Sequence, residues 1–376
     1  MTAKWAWTAA GTALLCLVAF EVYATILRAR KRPGPLSTRL NHGLWWLAST
    51  VAFQLDRKRR HVILSAVGPL LLPILGALLI LTLVVGFGLI YLPRLPSGFS
   101  LATTSMSPWQ DAVYFSGVTL LTIGYGDITP HSGPLRFAAL VEGVAGIAVL
   151  SLATAYLLTI YGAVERKRAA ALAFYHQAGR GADVASFIAH HFRRGRFIGF
   201  DAIVRVGARD LQVIMEAHIE HPVIHYFHSE VLAKSFPRMV FLLLETATIV
   251  GTCLDPAAHA EVCDHPDVET LDDTALDVVE ELLVVLQLGK RAKDAIGTPD
   301  EDCERHRRCF RRTVRRLAAA GITVRADQAG AFQSYVAARE RWERKLACIS
   351  RFLGYDWDEV SGDKNLDDAA AVEAGT

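Results

Sequence analysis

The hydrophobic positions of the chain are concentrated in three long runs, all of which end before residue 165. They extend from Trp5 to Leu27, from Val62 to Leu92 and from Leu135 to Val164. An α-helix needs about 20 predominantly apolar residues to cross the hydrocarbon core of a bilayer. Each run is long enough, so the pattern predicts three transmembrane helices.

A shorter apolar segment, LWWLASTVAF at 44–53, lies between the first two runs. It is too short to span a bilayer. Its tryptophans and the flanking basic residues are typical of a helix that lies in the membrane interface. We therefore expect this segment to rest on the membrane rather than cross it.

The charges predict the orientation of the spans. Of all residues, 52% are hydrophobic and 21% are charged, and the two kinds are segregated along the chain. Residues 28–61 contain nine Lys or Arg and one acid, whereas residues 93–134 contain a single basic residue, Arg94. Loops rich in Lys and Arg stay in the cytoplasm. The N-terminus is therefore expected outside, and everything after the third span in the cytoplasm.

The connection between the second and third spans contains a further helical signal. Ser107, Pro108 and Gln110 have the arrangement of an N-cap, a first helical residue and a capping-box partner. About 15 residues, PWQDAVYFSGVTLLT, follow with Gly117 as the one helix-weakening residue. This length enters a membrane without crossing it, so the pattern predicts a re-entrant half-helix that lines a protein-enclosed or water-filled space.

The half-helix is followed by TIGYGD, residues 122–127. Alternating glycines permit backbone conformations that point successive carbonyl oxygens to one side. Four such strands around an axis would form rings of oxygens that can replace the water shell of a cation. Because the chain has one copy of the motif, a ring requires a homotetramer.

The half-helix, TIGYGD and the flanking spans together resemble the pore domain of potassium channels, over roughly residues 62–165. The resemblance implies potassium ions in a selectivity filter formed by Thr122, Ile123, Gly124, Tyr125 and Gly126. It also implies that Tyr114, Phe115 and Asp127 support the filter, with Tyr114 able to donate a hydrogen bond to Asp127. Val118 departs from family members that have a buried glutamate at that position.

Two glycines in the third span, Gly143 and Gly146, have two interpretations. Gly146 resembles the hinge of the family's inner helix, but small residues also permit close helix packing in membranes. Glu142 either tunes the cavity or bonds to a neighbouring helix. The candidates to line the pore below are Leu150, Thr154 and one of the next two leucines, Leu157 or Leu158.

The remainder of the chain predicts a helical cytoplasmic domain. Its expected helices are at 181–192, 207–220, 229–253, 271–295, 301–320 and 328–353. The stretch at 221–250 is similar to that of uncharacterised bacterial ion-channel proteins with an all-helical C-terminal domain. We found no strand followed by a glycine-rich nucleotide fingerprint, and therefore expect no organic cofactor.

The four histidines His218, His221, His225 and His228 are spaced by three, four and three residues. A continuous helix would align them as a stripe that binds a transition metal or senses acid near pH 6.5. Pro222 would interrupt such a helix. The alternative is a polar helix face with aromatic packing.

The basic stretch from Arg305 to Arg316 can be explained as a solvated face paired with the acids of 264–281. Anionic lipids are a second candidate partner, and we expect no nucleic-acid partner.

Together these expectations describe an all-α membrane protein: three transmembrane helices plus a re-entrant pore half-helix and filter, then an α-helical cytoplasmic domain, assembled as a homotetramer. The segments are an N-terminal helix with a basic linker (1–61), the pore domain (62–165), the helical domain (166–360) and a disordered tail (361–376). The expected function is passive potassium conduction in a bacterial inner membrane, with the helical domain as a candidate gate regulator. No catalytic residue is expected.

Three alternatives remain. The chain could be a membrane-anchored sensor with a vestigial pore, a non-selective cation pore, or a subunit of a potassium transporter. A transporter would use four degenerate loops with single glycines in one long chain, which argues against the last.

Overall fold

The computed structural model describes residues 2–28, 34–95, 97–102, 107–178, 183–289 and 299–362. The chain divides into two compact units. The first, here called the pore unit, contains residues 1–47 and 67–162; the second, here called the helical unit, contains residues 48–66 and 163–376. The division differs from the expected segments, because residues 1–61 do not form a piece of their own and residues 48–61 group with the helical unit. The expected tail lies outside the described residues from residue 363 onwards.

The elements as far as the end of the third span are long helices and one small sheet. They are α1 (Thr2–Val22) with a π-helical turn (Tyr23–Leu27), α2 (Pro35–Ala52), α3 (Arg57–Tyr91) with a 3-10 turn (Leu92–Arg94), β1 (Phe99–Leu101), α4 (Pro108–Leu120), β2 (Ile128–Pro130) and α5 (Gly133–Gln177). The predicted interfacial helix at 44–53 is thus the second half of a longer helix, α2. Helices α2, α3 and α5 each contribute to both units.

Among the described residues, four helices are long and apolar enough to cross a membrane. Three of them, Lys4–Leu27, Arg57–Arg94 and Gly133–Gln177, contain the predicted spans, and the fourth is Phe236–Cys253. The fourth is 94% buried within the protein, against 22–39% for the other three. Its apolar surface is therefore covered by protein, which is typical of a core helix rather than of a lipid-facing span.

A buried carboxylate joins α1 to the start of α2. Glu21 has no exposed surface and accepts hydrogen bonds from the backbone N–H groups of Leu36 (2.8 Å) and Ser37 (2.9 Å). The hydroxyl groups of Ser37 (2.6 Å) and Thr25 (2.9 Å) also donate to it. The first N–H groups of a helix have no partner within the helix and attract negative charge. Glu21 therefore fixes the beginning of α2.

The elements after α5 are helices with one short hairpin. They are α6 (Val184–His191), β3 (Phe192–Arg193), β4 (Arg196–Phe197), α7 (Phe200–Glu220), 3-10 turns at Pro222–Tyr226 and Leu232–Lys234, α8 (Phe236–Cys253), α9 (Ala260–Cys263), α10 (Pro266–Val285), α11 (Pro299–Ala319), α12 (Gln328–Glu340), α13 (Glu343–Phe352) and α14 (Trp357–Ser361). The helix expected at 328–353 is divided in two, and the one expected at 229–253 begins later, at Phe236.

Helix α8 forms the centre of the helical unit. Its buried carboxylate, Glu245, accepts hydrogen bonds from Tyr335 (2.6 Å) and Arg339 (2.9 Å), both on α12. Arg339 is itself only 2% exposed. Removing one partner of such a buried pair leaves an uncompensated charge, so the pair fixes how α8 and α12 are aligned.

Two basic residues of α11 have acidic partners outside residues 264–281. Arg305 contacts Asp302 and Glu343, and Arg316 contacts Asp183. Within α10, Asp272 contacts Arg341, directly after α12, and Glu280 contacts Lys345 on α13. The sequence could not distinguish these partners, because either acidic group satisfies the charge pattern.

Candidate functional site: the pore loop

The pore loop begins with the half-helix α4, whose start is fixed by its capping residues. Ser107 has an extended backbone, its Oγ accepts a hydrogen bond from the N–H of Gln110 (3.3 Å), and Pro108 occupies the first helical turn. The Gln110 side chain accepts a hydrogen bond from the Ser107 hydroxyl (2.8 Å). A serine cap followed by proline is the local signal that starts this 13-residue helix.

The residues after α4 alternate in backbone conformation. Thr122, Gly124 and Gly126 have φ values of 58°, 61° and 79°, whereas positive values do not occur at Ile123 or Tyr125. Left-handed backbone costs an L-residue about 1–2 kcal/mol, and glycine avoids this cost. The alternation is the geometry that the two glycines were expected to permit, and Thr122 adopts it although it is β-branched.

The beginning of this loop is folded back onto the end of α4. The N–H groups of Ile123 (2.8 Å) and Gly124 (3.2 Å) both donate to the carbonyl of Val118, and that of Thr122 donates to Thr119 (3.1 Å). All five residues from Thr122 to Gly126 are exposed within the single chain. The loop therefore presents both its backbone and its side chains outside the chain's own core.

The end of the loop is anchored at two places. The Tyr114 hydroxyl donates to the carboxylate of Asp127 at 2.8 Å. Strand β2, directly after Asp127, pairs antiparallel with β1 in the register Phe99–Pro130 and Leu101–Ile128. The loop is thus held from α4 on one side and from the segment after α3 on the other.

The expected pair of supporting aromatic residues has two different environments. Tyr114 is exposed and bonds to Asp127, whereas Phe115 is buried. The Phe115 ring packs edge-on against Tyr91 and Phe99, each with a centroid distance of 5.1 Å. Phe115 therefore attaches α4 to α3 and β1 and, within this chain, packs into the core rather than around the loop.

A buried carboxyl group connects the three helices around the loop. Glu142 on α5 accepts a hydrogen bond from the Tyr91 hydroxyl on α3 (2.8 Å) and another from Ser116 on α4. None of the three side chains has any exposed surface. An ionisable group inside a membrane protein usually faces other protein groups. We call Glu142, Tyr91 and Ser116 the Glu142 triad; sequence reasoning identified Glu142 but missed its partners, although each is a polar residue within an apolar helical segment.

Gly143 and Gly146 of α5 face the end of α4. A Cβ atom on Gly146 would overlap the carbonyl oxygen of Leu120, and one on Gly143 would come to 4.0 Å from the carbonyl oxygen of Thr119. Helix α5 is continuous from Gly133 to Gln177. The geometry therefore gives Gly146 a packing role, and its role as a hinge stays a prediction.

One face of α5 is exposed along most of its apolar length. Its exposed residues include Leu140, Val144, Ile147, Leu150, Thr154 and Leu158. Leu157, the alternative to Leu158, is half-buried. Of the pore-lining candidates, Leu150, Thr154 and Leu158 therefore share one helix face at i, i+4 and i+8.

Sequence reasoning also missed the contacts at the start of α3, within the helical unit. Arg57 contacts the carboxylates of Asp356 (2.8 Å) and Asp358 (2.9 Å), and Arg60 contacts Asp356 (2.6 Å). We call these four residues the α3–α14 ion-pair cluster. The partners are about 300 residues apart in sequence, so charge patterns along the chain could not pair them.

A histidine pair extends this cluster. His61 Nδ1 lies 2.7 Å from His228 Nε2, and His61 Nε2 lies 3.1 Å from Glu359. Burial raises the pKa of Glu359, but hydrogen bonds from His61 and from the backbone of Asp356 outweigh it and lower the pKa to about 2. Glu359 is therefore ionised at neutral pH.

The end of α5 contacts the same region. Lys167 is buried and donates to the carbonyl groups of Ile224 and Phe227, each at 3.2 Å. Arg168 donates to the carbonyl of His228, also at 3.2 Å. The segment 222–231, which we call the connector, therefore bonds to the start of α3 and to the C-terminal part of α5.

The predicted histidine stripe does not form. Helix α7 ends at Glu220, and His221 is its C-cap with φ −130° and ψ 79°. Proline disfavours helical backbone in the preceding residue, which explains the break before Pro222. Among the described residues, no group of three or more His, Cys, Asp or Glu side chains is placed to hold a metal ion.

The histidines instead form two separate contacts. His218 Nδ1 lies 3.0 Å from His225 Nδ1, and His228 contacts His61. Burial lowers the pKa of both His218 and His225, with neighbouring positive groups adding to the effect, and burial lowers that of His228 to about 3. These three side chains are neutral near pH 6.5, which argues against the acid-sensing interpretation and favours the alternative of a packed structural role.

The segment from α3 to α5 has the architecture of a pore module, with two long apolar helices around a capped half-helix and an exposed loop. Residues 77–162 match the Ion_trans_2 family, described as "Ion channel". This segment is an ion channel domain, in agreement with the resemblance read from TIGYGD.

Relatives among known proteins extend the similarity. The chain is 26% identical to the "Uncharacterized membrane protein YdjJ" of Bacillus subtilis (strain 168), over 64% of this chain and 68% of that protein. It is 38% identical to "Protein LctB" of Bacillus caldotenax over 18% of this chain and 54% of that protein. It is 44% identical to "Two pore potassium channel c" of Oryza sativa subsp. japonica over 15% of this chain and 12% of that protein. The chain thus spans about half of LctB and a small part of the plant channel. No solved structure matches the chain.

The Glu142 triad predicts a stability effect. Glu142→Ala leaves the hydroxyl groups of Tyr91 and Ser116 buried without their acceptor, which costs about 1–3 kcal/mol. Glu142→Gln keeps one acceptor oxygen and should cost less. Thermal unfolding of the purified protein in detergent measures both. An alanine variant that unfolds at the wild-type temperature would contradict the role of the triad.

The buried histidines predict a pH dependence. Their pKa values in the folded state lie below the unfolded value of about 6.5, so the unfolded chain binds more protons below that pH. Stability is therefore complete above pH 6.5 and falls as the pH falls, by about 1.4 kcal/mol per pH unit for each such histidine. His225→Gln should lose less stability than wild type between pH 7 and pH 5, measured by thermal unfolding. The matched control is His190→Gln, at an exposed position; equal losses in all three proteins would refute the prediction.

Proposed function

We propose that this protein is a potassium-selective channel, that it assembles as a homotetramer, and that its helical unit regulates the pore. The observation that carries the proposal is the alternating backbone of Thr122, Gly124 and Gly126. Oxygens arranged in successive rings replace the hydration shell of potassium in selective filters. One chain supplies one strand of such a filter, so four copies complete it around a common axis.

Three further observations support this proposal. The ion channel family matches the segment that contains the loop, and a plant protein named a two pore potassium channel is similar over 57 residues. The loop and the face of α5 that contains Leu150, Thr154 and Leu158 are both exposed in the single chain. Such exposure is expected for surfaces that face the ion path or neighbouring subunits. We place Leu150, Thr154 and Leu158 along that path.

The orientation follows from the charges. The basic residues between the first and second spans favour the cytoplasm, so the loop would face outside and the helical unit inside, in a bacterial inner membrane. The contacts at the start of α3 and the end of α5 then lie on the cytoplasmic side. The connector contacts both α3 and α5, and α14 contacts α3. Movement of these elements would therefore displace the helices that flank the pore, which is the basis for proposing regulation.

The alternatives make different predictions for ion flux. A non-selective pore would conduct sodium and potassium equally, and a sensor with a vestigial pore would conduct neither. The intact threonine and both glycines of the filter sequence favour the selective pore. Flux into liposomes therefore separates the three functions.

The filter geometry predicts the effect of adding a methyl group. Gly124→Ala places a Cβ on a backbone with φ +61°, which costs about 1–2 kcal/mol in every subunit. We expect this variant to lose most of its potassium-selective flux, at least about tenfold. Reconstituted protein with a potassium gradient, measured against a sodium gradient, tests this.

The matched control is Gly76→Ala in helix α3, where a Cβ also has no neighbour within 4 Å. Alanine favours a helix over glycine, so this variant should conduct as wild type does. Wild-type protein without potassium-selective flux would overturn the proposed function. Equal flux from wild type and Gly124→Ala would overturn the role of the loop.

Regulation by the helical unit predicts an effect of the α3–α14 ion-pair cluster. The double change Asp356→Asn and Asp358→Asn removes the partners of Arg57 and Arg60. Hydrogen exchange over residues 57–66 should become faster by about fivefold or more, and the open probability in bilayer recordings should shift by a similar factor. Asp272→Asn, which affects the more exposed pair with Arg341, is the control. Faster exchange with unchanged gating would contradict a regulatory role.

A further inference from the structure

The pore unit contains a cavity of about 550 Å³ beside the end of α3 and the start of α5. Its walls are the first residues of α1, the last residues of α3 and its 3-10 turn, and the start of α5. The residues that matter here are Lys4, Trp5, Thr8, Arg94, Ser132 and Leu135. The cavity is distinct from the pore loop, since none of the filter residues lines it.

Two positive charges line this cavity without a neutralising partner. No ion pair among the described residues involves Lys4 or Arg94. Arg94 is half-buried, and its guanidinium is held by hydrogen bonds to the Thr8 hydroxyl (3.1 Å) and to the carbonyl of Ile90. Arg94 is also the single basic residue of residues 93–134. The residues that line the cavity include these two cations and no acidic side chain, which favours an anionic ligand.

The remaining walls combine hydroxyl groups with apolar surface. Thr8, Ser97 and Ser132 provide hydroxyls, while Ile90, Leu135 and Ala138 are apolar. Trp5 lines the cavity and is 71% exposed. Tryptophan is enriched where lipid headgroups meet the hydrocarbon core. The cavity is thus charged and polar on one part of its surface and apolar on another.

We propose that this cavity binds the headgroup of an anionic phospholipid, in the leaflet at the filter end of the pore. The phosphodiester oxygens accept hydrogen bonds from Lys4 and Arg94, the hydroxyl-bearing residues contact the glycerol, and one acyl chain runs along Leu135 and Ala138. A soluble phosphate ester shares the anionic chemistry, but the apolar wall beside the cations favours the lipid. The inference requires the membrane location of the chain and is independent of potassium selectivity.

Lipid titration followed by native mass spectrometry tests this site on the full-length protein. The probes are phosphatidylglycerol, phosphatidylcholine with the same acyl chains, and soluble glycerol 3-phosphate. Each cation near an anionic headgroup contributes a factor of about five in affinity. Wild type should prefer phosphatidylglycerol by about fivefold to twentyfold, and the double variant Lys4→Gln, Arg94→Gln should reduce this preference to within about twofold.

The control is Arg136→Gln, which removes an exposed positive charge from the same end of α5 outside the cavity. It should keep the wild-type preference, even if basic residues elsewhere, such as those of α11, add a constant background. The proposal is overturned if the double variant keeps the preference, or if Arg136→Gln loses it equally. Displacement of the lipid by equimolar glycerol 3-phosphate would assign the site to a soluble phosphate and overturn the lipid. Indifference of the wild type to the headgroup would likewise overturn the proposal.

Discussion

The hydrogen bonds of Glu142 are the interaction on which the pore unit depends. A carboxyl group within an apolar helix has no water to bond to, so its partners must come from neighbouring helices. Tyr91 on α3 and Ser116 on α4 supply these partners, which links α3, α4 and α5 at one point. Gly146 lets α5 approach Leu120 at the end of the same half-helix. The position from which the loop starts is therefore set by polar contacts and close packing together.

Within the helical unit, the start of α3 and the end of α5 are held by polar contacts of a different kind. Arg57 and Arg60 contact carboxylates of α14, and Lys167 bonds to carbonyl groups of the connector. Helices α3 and α5 each continue without a break from these contacts into the pore unit.

Local patterns in the sequence predict some of these features and miss others for a physical reason. The spans, the capped start of α4 and the need for glycine at 124 and 126 follow from short-range periodicity and backbone sterics. The pairing of His61 with His228 and the partners of Arg57 depend on how distant segments pack, which no local spacing encodes. The histidine stripe does not form because α7 ends before Pro222, the interruption that the sequence itself indicated.

The burial of α8 has a consequence for how the chain is made. During synthesis, an 18-residue apolar helix resembles a membrane span to the machinery that inserts such helices. Arg238 and Glu245 within it each add about 2.5–3.5 kcal/mol to the cost of insertion when near the middle of the bilayer, and less towards its edges. In the folded unit the same Glu245 is neutralised by Arg339 from α12. The buried charge of Glu245 therefore has two physical effects. It disfavours insertion of α8 into a bilayer before folding, and in the folded unit it favours the packing of α12, which supplies Arg339, against α8.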